Sequence, residues 1–261
     1  MPSATSARDR EHPGARVSDR GVRGGGPAAV VFDLDGVLLD SEEIWSGARR
    51  ELALRCGGRW SDAAQTYMLG MSSSEWSRYM HDHLGVALAA REISDRVVEL
   101  VAARYRARLP LIAGADEAVR ALAACWPLGL ASSANRQIIE LVLDRAGWRA
   151  LFAQTVSSEE VARGKPAPDV YLEAARRLGA APDRCAAVED SAAGIESAHA
   201  ATLAVIAIPN RQFPPGDAAL AQADLVLEQI SQLHPAAVAG LTARGRSPAR
   251  GARRGTRPRP S

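Results

Sequence analysis

Two aspartates one residue apart, Asp33 and Asp35, follow the apolar run AVVF and lead into Gly36. A second acidic pair, Glu189 and Asp190, closes the run in CAAVEDS, and Ser132 closes the one in PLGLASSAN. The basic residues comprise 31 arginines and a single lysine, Lys165, in RGKPAPDVY. If these runs are neighbouring parallel strands, the acids and the hydroxyl meet at one rim. Four crowded carboxylates repel one another and require a cation, and hard oxygen donors without histidine or cysteine point to Mg²⁺. A divalent ion in turn suits an anionic substrate, whose remaining oxygens Lys165, Ser132 and nearby backbone N–H groups can meet. Phosphoryl transfer is chemistry of this kind, mostly positioning and electrostatics around the transferred group.

The elements that must position these residues alternate. AAVVFDLDG, PLGLASSAN, CAAVEDS and LAVIAIPN read as buried strands running into loops, with FAQTVSS and DLVLEQ as shorter candidates. Between them, NRQIIELVLDRAGW sets Ile138, Ile139, Leu141, Val142 and Ala146 along one helical stripe, opened by Asn135 as N-cap and closed by Gly147. APDVYLEAARRLG opens with Pro168 and Asp169 and ends at Gly179, and SAAGIESAHAA is a shorter helix of small residues. Such alternation predicts a doubly wound, Rossmann-like α/β fold with a parallel sheet covered on both faces. From about Ser41 to Arg108 only helical stretches occur: SEEIWSGARRELALRC, SSSEWSRYMHDHLG and REISDRVVELVAARYRARL. Residues 40–108 are therefore expected to form an inserted α-helical cap over the strands' carboxyl ends, where such folds bind ligands. The core is expected over 28–39 and 109–234.

The net charge of +2 conceals a division. Residues 1–27 hold five arginines against three acids, and residues 236–261 hold seven arginines and no acid. The remainder has 20 basic and 27 acidic residues, a net of −7. Tails at 1–27 and 235–261, rich in Gly, Pro, Ser, Ala and Arg, have the composition of disordered segments. The C-terminal RGRSPARGARRGTRPRP permits an alternative, non-enzymatic function as a tether to nucleic acid or an acidic surface. A solvated tail is the preferred reading, so no nucleic-acid partner is expected. No apolar stretch approaches the roughly 18 residues needed to span a bilayer, and the N-terminus lacks the apolar run of a secretory signal. A cytoplasmic protein without membrane contact is expected. Cys56, Cys125 and Cys185 are widely spaced with no CxxC, which predicts reduced core thiols.

At the chemistry-bearing positions the sequence resembles the haloacid dehalogenase superfamily, in its helical-cap phosphatase and phosphomutase branch. FDLDGVLLDSE, GLASSAN, RGKPAPDVY and VEDSAAGIESAHAA match that family's four motifs in order, and the resemblance covers residues 28 to about 233. It implies that Asp33 is the nucleophile, forming an aspartyl-phosphate, and that Asp35 is the general acid and base. It further implies Mg²⁺ held by the Asp33 side chain, the Asp35 carbonyl and Asp190, with Glu189 as a direct or water-mediated ligand. Ser132, with the Ser133 or Ala134 backbone N–H, would bind phosphate oxygens, and Lys165 would bridge the phosphate and Asp33. Gly36 would let the chain turn behind the acids, and Gly194 would permit close helix packing.

Within the family the sequence is most similar to β-phosphoglucomutase and the sugar-phosphate phosphatases, whose caps carry a glycine-centred specificity loop. That loop is expected at LGMSSSEW, residues 69–76. The mutase keeps a histidine after its first motif and an arginine in the loop, whereas Trp45 and Ser73 stand at those places here. Without a loop cation, one end of a bisphosphate would be poorly neutralised. Hydrolysis of a monophosphate, a sugar phosphate or another small phosphorylated metabolite, is therefore preferred over the alternative mutase reaction. Trp45, Ser72 and Trp76 are expected to line the leaving-group pocket, and a monomer is expected.

Overall fold

The computed structural model describes residues 26–68 and 70–241. The expectations for residues 1–25 and 242–261, and for Leu69 in the loop 69–76, lie outside the described residues. In chain order the elements are β1 (Ala29–Phe32), α1 (Glu42–Arg55), α2 (Asp62–Tyr67), α3 (Ser73–Asp82), α4 (Ala90–Ala107) and α5 (Ala115–Ala123). They continue with β2 (Leu128–Ser132), α6 (Arg136–Ala146), β3 (Phe152–Ser157), α7 (Asp169–Leu178) and β4 (Cys185–Glu189). The last are α8 (Ala192–Ala200), β5 (Ala204–Ala207), α9 (Asp217–Leu220), β6 (Leu225–Val226) and α10 (Pro235–Ala239). The strands form one parallel sheet in the order β3-β2-β1-β4-β5-β6.

Every residue of β1, β2, β4 and β5 is buried, because helices cover both faces and a strand's side chains alternate between them. Val30, Phe32, Leu128, Leu130, Ala186, Val188 and Ile206 face α5 and α6. Ala29, Val31, Ala131, Ala187 and Val205 face α7 and α8. Pro168 stands at the N-cap of α7, and Gly179 at its C-cap takes φ 68°, a left-handed conformation that glycine adopts without a Cβ penalty.

The expected fold class is the observed one, and the helical insertion runs from α1 to α4. It is joined to the sheet by two adjacent strands of chain: Asp40 N–H donates to the Pro110 carbonyl at 2.9 Å, and Ile112 N–H to that of Leu38 at 3.0 Å. Inside it, α1 and α3 both pack on α4, and α4 rests on α6 of the core. No helix among the described residues is long and apolar enough to cross a membrane.

Some features were not legible in the pattern. Helices α2 and α5 had no expected counterpart. At the C-terminal end the packed chain continues past 234, since α10 buries Val238 completely. At the other end Pro27, expected in the tail, accepts a hydrogen bond from the Trp126 indole at 3.0 Å. The three cysteines are free, yet only Cys185 is buried; Cys56 is half-buried and Cys125 exposed, because each lies just past the end of a helix.

Candidate active site

In strand order, β1, β2 and β3 step one way from the centre and β4, β5 and β6 the other, so the gap between β1 and β4 is a topological switch point. A crevice opens there beyond the carboxyl ends. Asp33 enters it directly after β1, its N–H tied to the Val188 carbonyl of β4 at 3.0 Å. The chain then turns back within a few residues: Gly36 N–H donates to Leu39 O at 2.8 Å and Leu38 N–H to Leu34 O at 2.9 Å. Gly36 takes φ 82°, and a Cβ there would collide with the Asp190 carboxylate. Gly36→Ala is thus expected to cost about 1–2 kcal/mol for the left-handed backbone alone, and to displace Asp190 as well. A lower melting temperature together with weaker divalent-metal binding would show both effects.

Lys165 reaches the same crevice from the segment before α7, its side chain 5% exposed. Its ammonium donates to Asp33 Oδ1 and to Glu189 Oε1, each at 2.6 Å. The Tyr171 hydroxyl donates to the same Glu189 oxygen at 2.6 Å, and the Tyr171 ring centroid lies 5.1 Å from the ammonium. The other Glu189 oxygen accepts from Asp190 N–H at 3.2 Å and from the Ser191 hydroxyl at 3.3 Å. Both oxygens of this fully buried carboxylate are therefore engaged by the protein. A Cβ on Gly194 would collide with it, so that glycine makes room for Glu189, a more specific role than the close helix packing expected of it.

Asp33, Glu189 and Asp190 each offer a carboxylate oxygen within 4.8 Å of the others'. Burial pushes the Asp33 carboxyl up to about 7, against the pull of Lys165, with Glu189 and Asp35 pushing the same way. Burial, then the Glu189 and Asp33 charges, raises Asp190 well above the usual carboxylate range. Burial pulls the Lys165 ammonium down, but Asp33 and Glu189 outweigh it and hold it above lysine's ordinary value. One lysine thus faces several buried acids, all oxygen donors, which is a donor set that fits a hard divalent cation. Asp35 is also raised by burial, and its Oδ1 accepts the Trp45 indole N–H at 3.2 Å.

A cavity of about 490 Å³ lies between this rim and the helical insertion. Asp33, Asp35, Lys165, Asp190, Ser133 and the Ala134 segment line its base, and Trp45, Ser73, Trp76 and Arg49 its cap side. Three expected residues do not line it. Ser132 is fully buried, its hydroxyl accepting from Ala134 N–H at 3.0 Å, so it shapes the loop that presents Ser133. Glu189 lies behind Lys165. Ser72 precedes α3 and donates to Glu75 Oε2 at 2.6 Å, which turns it toward a neighbouring cleft. Asn135 stands at the N-cap of α6, but its side chain accepts from the Ser73 hydroxyl at 2.6 Å and donates to Glu159 at 2.5 Å. It thereby joins cap to core instead of capping its helix. Sequence reasoning missed Arg49 and Tyr171; the latter ends the motif RGKPAPDVY, where its proximity to the lysine was the available signal.

Strand ends carrying acids, a lysine between them and a helical insertion above define a class that similarity makes definite. The model of the haloacid dehalogenase-like hydrolase family matches residues 27–202. The chain belongs to that family and is a hydrolase. Hexitol phosphatase B of Escherichia coli (strain K12) is 30% identical over 212 residues, 78% of this chain and 93% of that protein. The bifunctional riboflavin kinase/FMN phosphatase of Arabidopsis thaliana is 30% identical over 185 residues, 70% of this chain. The match is 48% of that plant protein, so the chain spans about half its length. Among solved structures, CbbY from Rhodobacter sphaeroides in complex with phosphate superposes with a TM-score of 0.72 at 25% identity, covering 81% of this chain and 99% of that one.

Proposed function

We propose that the chain hydrolyses a small phosphomonoester, a sugar phosphate or a closely related metabolite, through an aspartyl-phosphate on Asp33. The observation that carries this reading is the Lys165 ammonium held at 2.6 Å from Asp33 at the base of a cavity roofed by helices. The phosphatase names of the relatives support it.

Asp33 forms the bond to phosphorus as the bond to the leaving oxygen breaks, and Asp35 gives that oxygen its proton. Burial raises Asp35, which suits an acid that begins the cycle protonated. The Trp45 N–H fixes the orientation of its carboxyl. In the second half Asp35 takes a proton from water, whose oxygen attacks the phosphorus; phosphate leaves and Asp33 is regenerated. Lys165 and the backbone N–H groups about Ser133 and Ala134 meet the phosphoryl oxygens, and Glu189 with Tyr171 holds Lys165 in place. Asp33 and Asp190, with the Asp35 carbonyl, would hold Mg²⁺, which when bound supplies neutralisation of the phosphoryl charge. Residues 40–108 act as the cap that keeps bulk water from the cavity, and the enzyme is proposed to work as a cytoplasmic monomer.

Isomerisation of a phosphosugar shares the first half of this chemistry. The indole of Trp45 has no acid–base equilibrium near neutral pH, so it cannot gate proton transfer as a histidine does, which favours hydrolysis. The test is a panel of sugar phosphates and other phosphometabolites with Mg²⁺, following free phosphate and the product sugar. Free phosphate that disappears with EDTA is the expected result; net isomerisation without phosphate release would overturn it. Deleting residues 242–261 is expected to leave kcat/KM unchanged. An activity or binding event that needs those residues would restore the tether reading.

A further inference from the structure

Arg49 of α1 is an arginine the proposed reaction does not use. It is 6% exposed, and its guanidinium carbon lies 5.6 Å from the Trp45 ring centroid and 5.4 Å from that of Trp76. The two rings meet edge to face, with centroids 6.3 Å apart. Aromatic faces soften the desolvation of a cation but offer no acceptor for its N–H groups. Accordingly Nε and Nη1 are buried without a hydrogen-bond partner. Opposite charge reaches it from Glu42 and Asp35 without a bonded pair. Each buried unmatched donor carries an uncompensated desolvation cost, which an apolar side chain of similar length would avoid. The residue also lines the cavity whose base holds Asp33 and Lys165.

The cavity thus has two cationic groups on different elements: Lys165 from the core beside the nucleophile, and Arg49 from the cap. A guanidinium is a planar fork matched to carboxylate and phosphate oxygens. We propose that Arg49 reads a second anionic group on the substrate, a carboxylate or phosphate on the leaving group, distal to the phosphoryl group that is cleaved. This rests on the phosphatase reading and narrows its substrate class to doubly anionic phosphomonoesters. The cation is not in the loop 69–76, where none was found in the sequence; it comes from the first helix of the insertion and is framed by the two tryptophans.

The test uses pairs that differ in the distal group alone. These are glycerol 3-phosphate against 3-phosphoglycerate, glucitol 6-phosphate against 6-phosphogluconate, and glucitol 6-phosphate against glucitol 1,6-bisphosphate. The first two pairs report a carboxylate and the third a phosphate. Wild-type protein with Mg²⁺ is expected to prefer the anionic member of at least one pair by roughly tenfold or more in kcat/KM, about 1.4 kcal/mol. Arg49→Met is expected to abolish that ratio and Arg49→Lys to leave it intermediate. Because each ratio is internal to one variant, partial unfolding changes both members together and leaves it intact. A ratio near one in all three pairs, or a ratio that survives Arg49→Met, would overturn the proposal. Calorimetric affinities of the same pairs for Asp33→Asn protein give the same readout without turnover. The phosphatase reading fails separately, if no phosphate is released from any compound.

Discussion

Asp33→Asn is expected to lower phosphate release by about 10⁴-fold or more, while the metal-free protein stays at least as resistant to heat as the wild type. The two halves of this expectation come from one feature. Asp33 is placed at the end of β1 among acids, and burial, helped by Glu189 and Asp35 and opposed by Lys165, raises its carboxyl to about 7. An acid raised on folding contributes its full stability below its unfolded value and loses it as pH rises to the folded one. Above 3.8 the folded state holds a proton that the unfolded chain releases, so stability falls as pH rises toward about 7 and levels off beyond it. An amide removes that penalty. It also withdraws one partner from Lys165, but Glu189 remains bonded at 2.6 Å, so the ammonium is not left alone. Thermal melts in EDTA between about pH 4 and 8 are expected to show the variant's advantage growing with pH through that window. Mg²⁺ is expected to raise the wild-type melting temperature more than the variant's. Loss of activity in proportion to loss of folded protein would overturn the nucleophile assignment.

Lys165→Arg, which keeps the charge, is expected to lower kcat by roughly 10²–10³-fold, the scale for removing one preorganised electrostatic contact. The ammonium is a compact donor that meets Asp33 and Glu189 simultaneously at 2.6 Å, with the Tyr171 ring at its side. A guanidinium is longer and planar, and a closely packed interior resists such added volume. Its contacts would have to swing past Asp33 into the cavity that both residues line. Lys165→Met goes further, leaving Asp33 and Glu189 buried without their cation, and is expected to destabilise by about 3–5 kcal/mol. Steady-state kinetics and melts on both variants separate the effects. Near-wild-type turnover in the arginine variant would mean that charge alone is needed at this place. Loss of turnover with the charge kept would instead make the single lysine, in a chain that writes every other basic residue as arginine, a consequence of shape.

Much of this site was legible because its parts are local. Buried parallel strands are apolar throughout, so AVVF, LGLA and CAAV identify themselves and mark the residues that follow as rim residues. Pro168 and Gly179 bracket α7 by backbone preference alone. The misread residues share a different property, a choice among partners. Asn135 is at the N-cap position as expected, but a hydroxyl from the cap, 62 residues earlier, takes its side-chain oxygen. Ser72 was read as a pocket residue and instead meets Glu75 on its own helix. Glu189 and Asp190 are adjacent, and no pattern in the chain says which one binds Lys165 and which one faces the cavity.

The sequence by itself determined the order of the strands and of the longer helices between them, the acids and hydroxyl at the strand ends, and the single lysine, because backbone preference and burial act over a few residues. The tertiary structure alone decided that Glu189 saturates its oxygens behind Lys165, that Ser133 rather than Ser132 borders the cavity, and that Arg49 sits between Trp45 and Trp76. In the sequence Arg49 is one of the chain's 31 arginines and lies in a stretch that reads only as helix. The packing of α1 on α4, with the Trp76 ring of α3 beside the guanidinium, removes it from water, and the loss of water, not the residue type, is what makes a cation seek an anion.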